Sequence, residues 1–192
     1  MSHNSMSAEE LLQRYAAGER NFPNVLIYGT GLRGATLNDI NLSGSELGCD
    51  LSGAELRNAN LSKAELGSAE LNGADLYGAN LSSATLANPM RGITLVNANL
   101  SGAVIAEADL SGALFCGANL SNCNLSQSCL EGVNMRNANL RGAYLGETFG
   151  RADFTGADLT GAEEFGQANA ILCNTIMPDG SVCNDDCPRG IH

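Results

Sequence analysis

The sequence predicts an all-β solenoid, a four-sided coil stacked on itself and closed at its N-terminus by a short α-helix. Three observations carry this. A large apolar residue recurs every five positions through most of the chain, one outward Asn series returns every 19 or 20 residues, and residues 7–18 carry helix start and stop signals. A period of five fits neither a 3.6-residue helix nor an alternating strand. It fits a chain that turns a corner once per pentad, with the large residue and the small residue two before it pointing inward.

The N-terminal element comes first. "SAEELLQRYAAG" places Ser7 at the N-cap and Glu10 three residues on, a capping box, with Gly18 as a stop. Leu11, Leu12 and Tyr15 lie at helical spacing and are predicted to cover the first coil. The repeats follow from Phe22 as Ile27, Leu32, Leu37, Leu42 and Leu47, then from Leu51 to Leu86, from Leu95 to Leu145, and on through Phe149, Phe154 and Leu159. Ala54, Ala59, Ala64, Ala69, Ala74, Ala79 and Ala84 supply the small inward positions.

The number of sides is read from Asn. Asn21, Asn41, Asn60, Asn80, Asn99, Asn119 and Asn139 each precede a centre (Phe22, Leu42, Leu61, Leu81, Leu100, Leu120, Leu140), at spacings of 20, 19, 20, 19, 20 and 20. Four pentads therefore make one coil, whereas a three-sided coil would return at 15. The stacked amides are expected to form a ladder between coils. Short steps follow Leu47, Leu86 and Leu145 on one side of the tube, and at "ANPMRG" and "GETFG" the neighbouring step is an alternative. Pro89 suits such a bulge because it cannot donate to a ladder.

Units such as "ADLSG" (108–112), "ANLSG" (98–102) and "ADLTG" (157–161) resemble the pentapeptide-repeat family, over roughly residues 22–177. The resemblance implies a right-handed quadrilateral β-helix. At about 4.8 Å per coil, about seven to eight coils give a rod of roughly 35 Å. The chain then divides into a tail and capping helix (1–21), the β-helix (22–177) and a Cys-containing C-terminal tail (178–192).

Chemistry is sparse. "GTGLRG" at 29–34 matches a dinucleotide fingerprint in letters but has no strand-to-helix setting. The N-x-S sequons, as at Asn41 and Asn60, follow from the repeat itself. Cys49 and Cys123 take the small inward position, while Cys116 and Cys129 flank their centres. In the tail, "PDG" signals a turn. Cys173, Cys183 and Cys187 allow one disulfide, with Cys173 bonded to one of the other two, three free thiols, or a zinc site with His192 at the unusual spacing C-x9-C-x3-C-x4-H. Only His3 and His192 exist, and a Leu/Ala-filled tube leaves no substrate cavity, so no enzyme and no cofactor are expected.

A net charge of −11 disfavours nucleic acid and anionic membrane surfaces as partners. No apolar run reaches membrane-spanning length and no signal peptide is visible, so a cytoplasmic protein is expected. Glu46, Asp50, Glu55, Glu65, Glu70 and Asp75 concentrate acid in the early coils, on three of the four sides. The expectation is a non-enzymatic interaction protein, a monomer or weak dimer, whose acidic rod meets an unknown protein partner. The resemblance adds two alternatives. Some family members are DNA mimics that bind a type II topoisomerase (gyrase); those members dimerise through an apolar C-terminal helix or carry projecting loops, features this sequence lacks. The "TIMPDGS" tail resembles cyanobacterial members and implies regulatory binding in differentiation or stress.

Overall fold

The computed structural model describes residues 4–87, 89–146, 149–166 and 169–187. The chain is a repeat β-helix solenoid whose rungs pair in parallel along columns. One column runs Asn21, Asn41, Asn60, Asn80, Asn99, Asn119, Asn139, Asp158 and Ile176. A second begins with β2 (Val25–Gly29) on β3 (Glu46–Cys49) and continues through Glu65, Thr85, Val104 and Asn124 to β4 (Tyr144–Gly146) and β5 (Glu163–Phe165). A third pairs Asp50 with Glu70 and Asp109 with Cys129, and a fourth runs Thr36, Glu55, Asp75, Thr94, Leu114, Asn134, Asp153 and Ile171.

Most rungs are a single bridged residue because each side is so short. Leu61 donates to Asn80 in the next coil at 2.7 Å, Asn80 donates back to Ala59 at 2.8 Å, and Ala64 closes the intervening turn on Leu61 at 3.0 Å. Met90 is buried and donates to Asp109 at 2.8 Å, which puts it on the inward grid, so the short step there is Leu86 to Met90. Phe149 is likewise buried, four residues after Leu145.

The centres and the small residues before them are buried along the tube, with Leu42, Leu61, Leu81, Leu100, Leu120 and Leu140 at 0% exposure. Towards the C-terminus the filling turns aromatic. Phe149, Phe154 and Phe165 meet with ring centroids 5.1–5.5 Å apart.

Two Ser residues at the small inward position do something Ala cannot. The Ser128 hydroxyl accepts from the Ala108 N–H at 3.1 Å and donates to the Ile105 carbonyl at 2.5 Å, so it sits inside a turn of the previous coil. Ser45 repeats this between Val25 and Phe22, at 3.1 and 3.3 Å. Removing the hydroxyl strands a buried donor and a buried acceptor. Ser128→Ala is therefore expected to lower unfolding free energy by about 1–3 kcal/mol, read from urea melts.

Both ends are covered. Helix α1 (Ala8–Ala16) has Ser7 as its N-cap, whose hydroxyl accepts from the Glu10 N–H at 3.1 Å. Only this half of the predicted box is seen, because the Glu10 carboxylate accepts from Arg14 at 3.3 Å. Leu11 is fully buried, Leu12 and Tyr15 pack partly against the core, and the Tyr15 hydroxyl donates to the Asn38 carbonyl at 2.9 Å. Before the helix, β1 (Asn4–Ser5) pairs in parallel with Val25 and Leu26, and Met6 is buried beneath it. The N-terminal segment thus pairs with the first strand edge as well as covering it, which protects that edge from other chains.

At the other end β6 (Thr175–Ile176) and β7 (Val182–Cys183) form an antiparallel hairpin around the "PDG" turn. The hairpin straddles the predicted boundary at 177/178. Asp186 returns to Leu172 through its N–H at 3.1 Å and its carboxylate at 2.9 Å, and Cys173 is disulfide-bonded to Cys187 while Cys183 is a free thiol. His192 lies outside the described residues, as does His3. The three-thiol alternative does not hold here, since Cys173 and Cys187 are bonded.

Candidate interaction surface

With the interior filled, the groups available for chemistry stand on the outer columns. The Asn column is a ladder. Side-chain amides donate to the preceding rung from Asn41 to Asn21 (2.6 Å), Asn80 to Asn60 (3.4 Å), Asn99 to Asn80 (3.2 Å), Asn119 to Asn99 (3.1 Å) and Asn139 to Asn119 (3.0 Å). The same Oδ1 atoms also accept from the N–H two residues on, as Asn80 does from Ser82 at 3.1 Å. These amides are therefore spent on each other and on their own turns.

Asp uses the same position differently. One carboxylate oxygen of Asp109 accepts from Ser111, and the other meets Arg91 of the preceding coil at 2.5 Å. Arg33–Asp50, Arg57–Asp75, Arg136–Asp153 and Arg141–Asp158 follow the same pattern, at 3.3, 2.7, 3.3 and 2.9 Å. In each, an Arg just after one centre reaches an Asp just before the centre of the next coil. The signal was present in the sequence as Arg and Asp 17 or 18 residues apart. Such surface pairs contribute little each, about 0–1 kcal/mol.

The Ser52 hydroxyl and N–H, with Arg33 beyond them, hold Asp50 below the usual carboxylate range, and Ser111, with Arg91, does the same for Asp109. A depressed carboxylate pKa gives stability that is present above the unfolded value, about 3.9, and lost as pH falls through the folded one. Melting temperature is thus expected to hold at pH 5 and to fall below pH 4. Asp109→Asn, which can keep the turn bond, should flatten part of that fall.

The six predicted acids divide among columns. Glu46 and Glu65 are consecutive rungs of the second, Asp50 and Glu70 of the third, Glu55 and Asp75 of the fourth. Asp50 and Asp75 belong to Arg pairs, and Glu55 accepts from the Asn38 amide at 3.4 Å. Glu46 accepts from the Tyr28 hydroxyl. Tyr28, missed in the sequence reading, is 57% exposed and lies over Gly48, where any Cβ would meet its ring. Along that corner a shallow groove is lined by Tyr28, Glu46, Gly48, Glu65 and Ser68, and its continuation past Gly67 and Ser68 reaches Glu70, Asn72 and Pro89.

The thiols sort by depth. Burial pushes Cys49 and Cys123 up to about 12, so they are inert packing groups, whereas Cys116 is half-buried and Cys129 exposed. Among the described residues no group of three His, Cys, Asp or Glu could hold a metal ion, and no helix is long and apolar enough to cross a membrane.

A family model for pentapeptide repeats matches the chain in eight copies, over residues 49–88, 90–122, 118–161 and 134–177. The chain belongs to the pentapeptide-repeat family. Among solved pentapeptide-repeat structures, a trypsin-treated variant of QnrB1, a plasmid-mediated fluoroquinolone resistance protein, is similar at 20% identity and a TM-score of 0.62 over 85% of this chain and 89% of that one. HetL, involved in heterocyst differentiation regulation in Nostoc sp. strain PCC 7120, is similar at 28% identity over 93% of this chain and 100% of that one, with a TM-score of 0.28. Rfr23 from Cyanothece 51142 is similar at 24% identity over 83% and 96%, with a TM-score of 0.37. The likeness to QnrB1 is one of pentapeptide-repeat fold alone. No curated protein matches the chain.

Proposed function

We propose that this pentapeptide-repeat protein is a non-enzymatic interaction protein, a right-handed quadrilateral β-helix of about seven to eight coils whose acidic N-terminal corner docks a basic protein surface. The observation that carries this reading is the corner groove. Glu46, Glu65 and Glu70 flank it on two adjacent columns, outside the Arg–Asp pairs that take up Asp50 and Asp75, with Tyr28 supplying an exposed aromatic ring. A Lys or Arg side chain entering there meets carboxylates and a ring face together. Affinity capture from native lysate tests it. A protein retained by the wild type should elute with salt and be absent with Glu46→Gln/Glu65→Gln/Glu70→Gln, and equal retention by that variant would refute the reading.

A net charge of −11 on a narrow rod supports a second reading, mimicry of DNA towards a type II topoisomerase. Supercoiling by purified gyrase separates the two. Inhibition or drug protection at micromolar protein supports mimicry, and unchanged supercoiling excludes it. Regulatory binding in differentiation or stress has only the tail resemblance behind it.

A further inference from the structure

The fourth column is charged at both ends and apolar in its middle. Its successive rungs carry Glu55, Asp75, Thr94, Leu114, Asn134 and Asp153 before the centre. Arg57, Tyr77, Val96, Cys116, Arg136 and Thr155 stand after it, held in register by bonds such as Gly78 N–H to Val96 (2.9 Å) and Gly117 N–H to Arg136 (2.9 Å). Tyr77 is 45% and Leu114 40% exposed, while Thr94, Val96 and Cys116 are half-buried, so these five side chains form one apolar field on a flat face. It is bounded on one side by the Arg57–Asp75 pair and on the other by Arg136–Asp153.

We propose that this face is where a second copy of the chain docks, antiparallel, about a two-fold axis lying across the rods between the Val96 and Cys116 rungs. The order of charges makes the face complementary to itself. Along one rod the series reads Arg57, Asp75, apolar field, Arg136, Asp153; reversed, it sets Arg57 level with Asp153 of the second copy and Asp75 level with its Arg136. In the same register Val96 meets Cys116, Thr94 meets Leu114, and Tyr77 meets Arg136, a cation over an aromatic ring. Both faces carry the same rung spacing, about 4.8 Å, so the match is kept from rung to rung. A two-fold contact needs such a self-complementary patch.

The outermost rungs set Glu55 towards Asp153, each held by its own neighbour, Asn38 and Arg136, which limits the affinity. A weak, reversible dimer is the result. This face lies apart from the acidic corner, so the proposal stands or falls independently of the docking reading above.

Sedimentation velocity of the full chain from low micromolar to several hundred micromolar tests it. A concentration-dependent dimer is expected, weakened roughly tenfold or more by Leu114→Arg. Because Leu114 is exposed, that variant should keep the wild-type circular dichroism. To read the orientation, copies carrying Asp75→Cys are mixed with copies carrying Asn134→Cys, both in a Cys116→Ser/Cys129→Ser/Cys183→Ser background, and treated with a short bis-maleimide. The antiparallel dimer cross-links the two variants to each other more than either to itself. A monomer at every concentration, a dimer indifferent to Leu114→Arg, or self-links in place of mixed links would each overturn the proposal.

Discussion

Phe154→Ala is expected to cost about 3–5 kcal/mol of unfolding free energy. Phe154 is fully buried and packs edge-on against Phe149 and Phe165, with centroids 5.5 and 5.3 Å away. Truncation opens a cavity where the Leu-filled tube becomes aromatic. Its neighbours are stiff, because the Phe154 backbone is bonded to Ile171 at 3.0 Å and to the Thr175 hydroxyl at 2.9 Å. In a stack where coils touch only their neighbours, the loss should be local. Hydrogen exchange should accelerate between about residues 135 and 187 with little change around Leu42 to Leu81. Equal acceleration along the whole chain would contradict near-neighbour stacking.

Gly78→Ala is expected to cost about 2 kcal/mol, and for two separable reasons. Gly78 has φ +65, where a side chain costs about 1–2 kcal/mol. Its new Cβ would also lie 2.7 Å from the Asn58 Oδ1, a carboxamide at the same corner of the preceding coil that donates to Asp39 at 3.2 Å. Asn58 itself has φ 56. The corner thus alternates Asn with Gly, the side chain of one leaning over the bare backbone of the next, as Asn97 does over Gly117 and Asn137 over Gly156, and the same contact recurs on the Asn column with Asn24 over Gly44 and Asn122 over Gly142. Asn58→Gly should return the clash part of the loss and leave the conformational part, read as a partial recovery in urea melts. No recovery would place the whole cost in φ.

The stacking was legible in the sequence almost in full, because burial imposes one inward residue per pentad and that pattern recurs along most of the chain. Asn60, Asn80 and Asn99 announced their column by spacing alone. What stayed hidden depends on contacts between coils or on single residues. Ser45 and Ser128 look like ordinary small inward residues, and only the inserted turn bonds give them a separate role. Two residues, Asn4 and Ser5, are too short a strand to carry a pattern, and their pairing depends on where α1 sits. The choice of Cys187 over Cys183 for Cys173 was open because three thiols share one tail and the hairpin decides which comes near. The division of the acids is legible by counting pentads, but the capture of Asp50 and Asp75 by Arg33 and Arg57 is a contact between coils, and it moves the candidate surface to the Glu46, Glu65 and Glu70 corner.

The central claim is that residues 19 or 20 apart stand side by side on the outside of a filled tube, so that every functional group is a member of a surface column. Paired cysteines test it most directly, in a background with Cys116, Cys129 and Cys183 replaced by Ser. Asn99→Cys/Asn119→Cys places two thiols on adjacent bridged rungs and should form an intramolecular disulfide on mild oxidation. Asn99→Cys/Leu114→Cys, 15 residues apart and on different columns, should stay reduced. Bonding of the second pair without the first would contradict the four-sided stack and every surface assignment built on it.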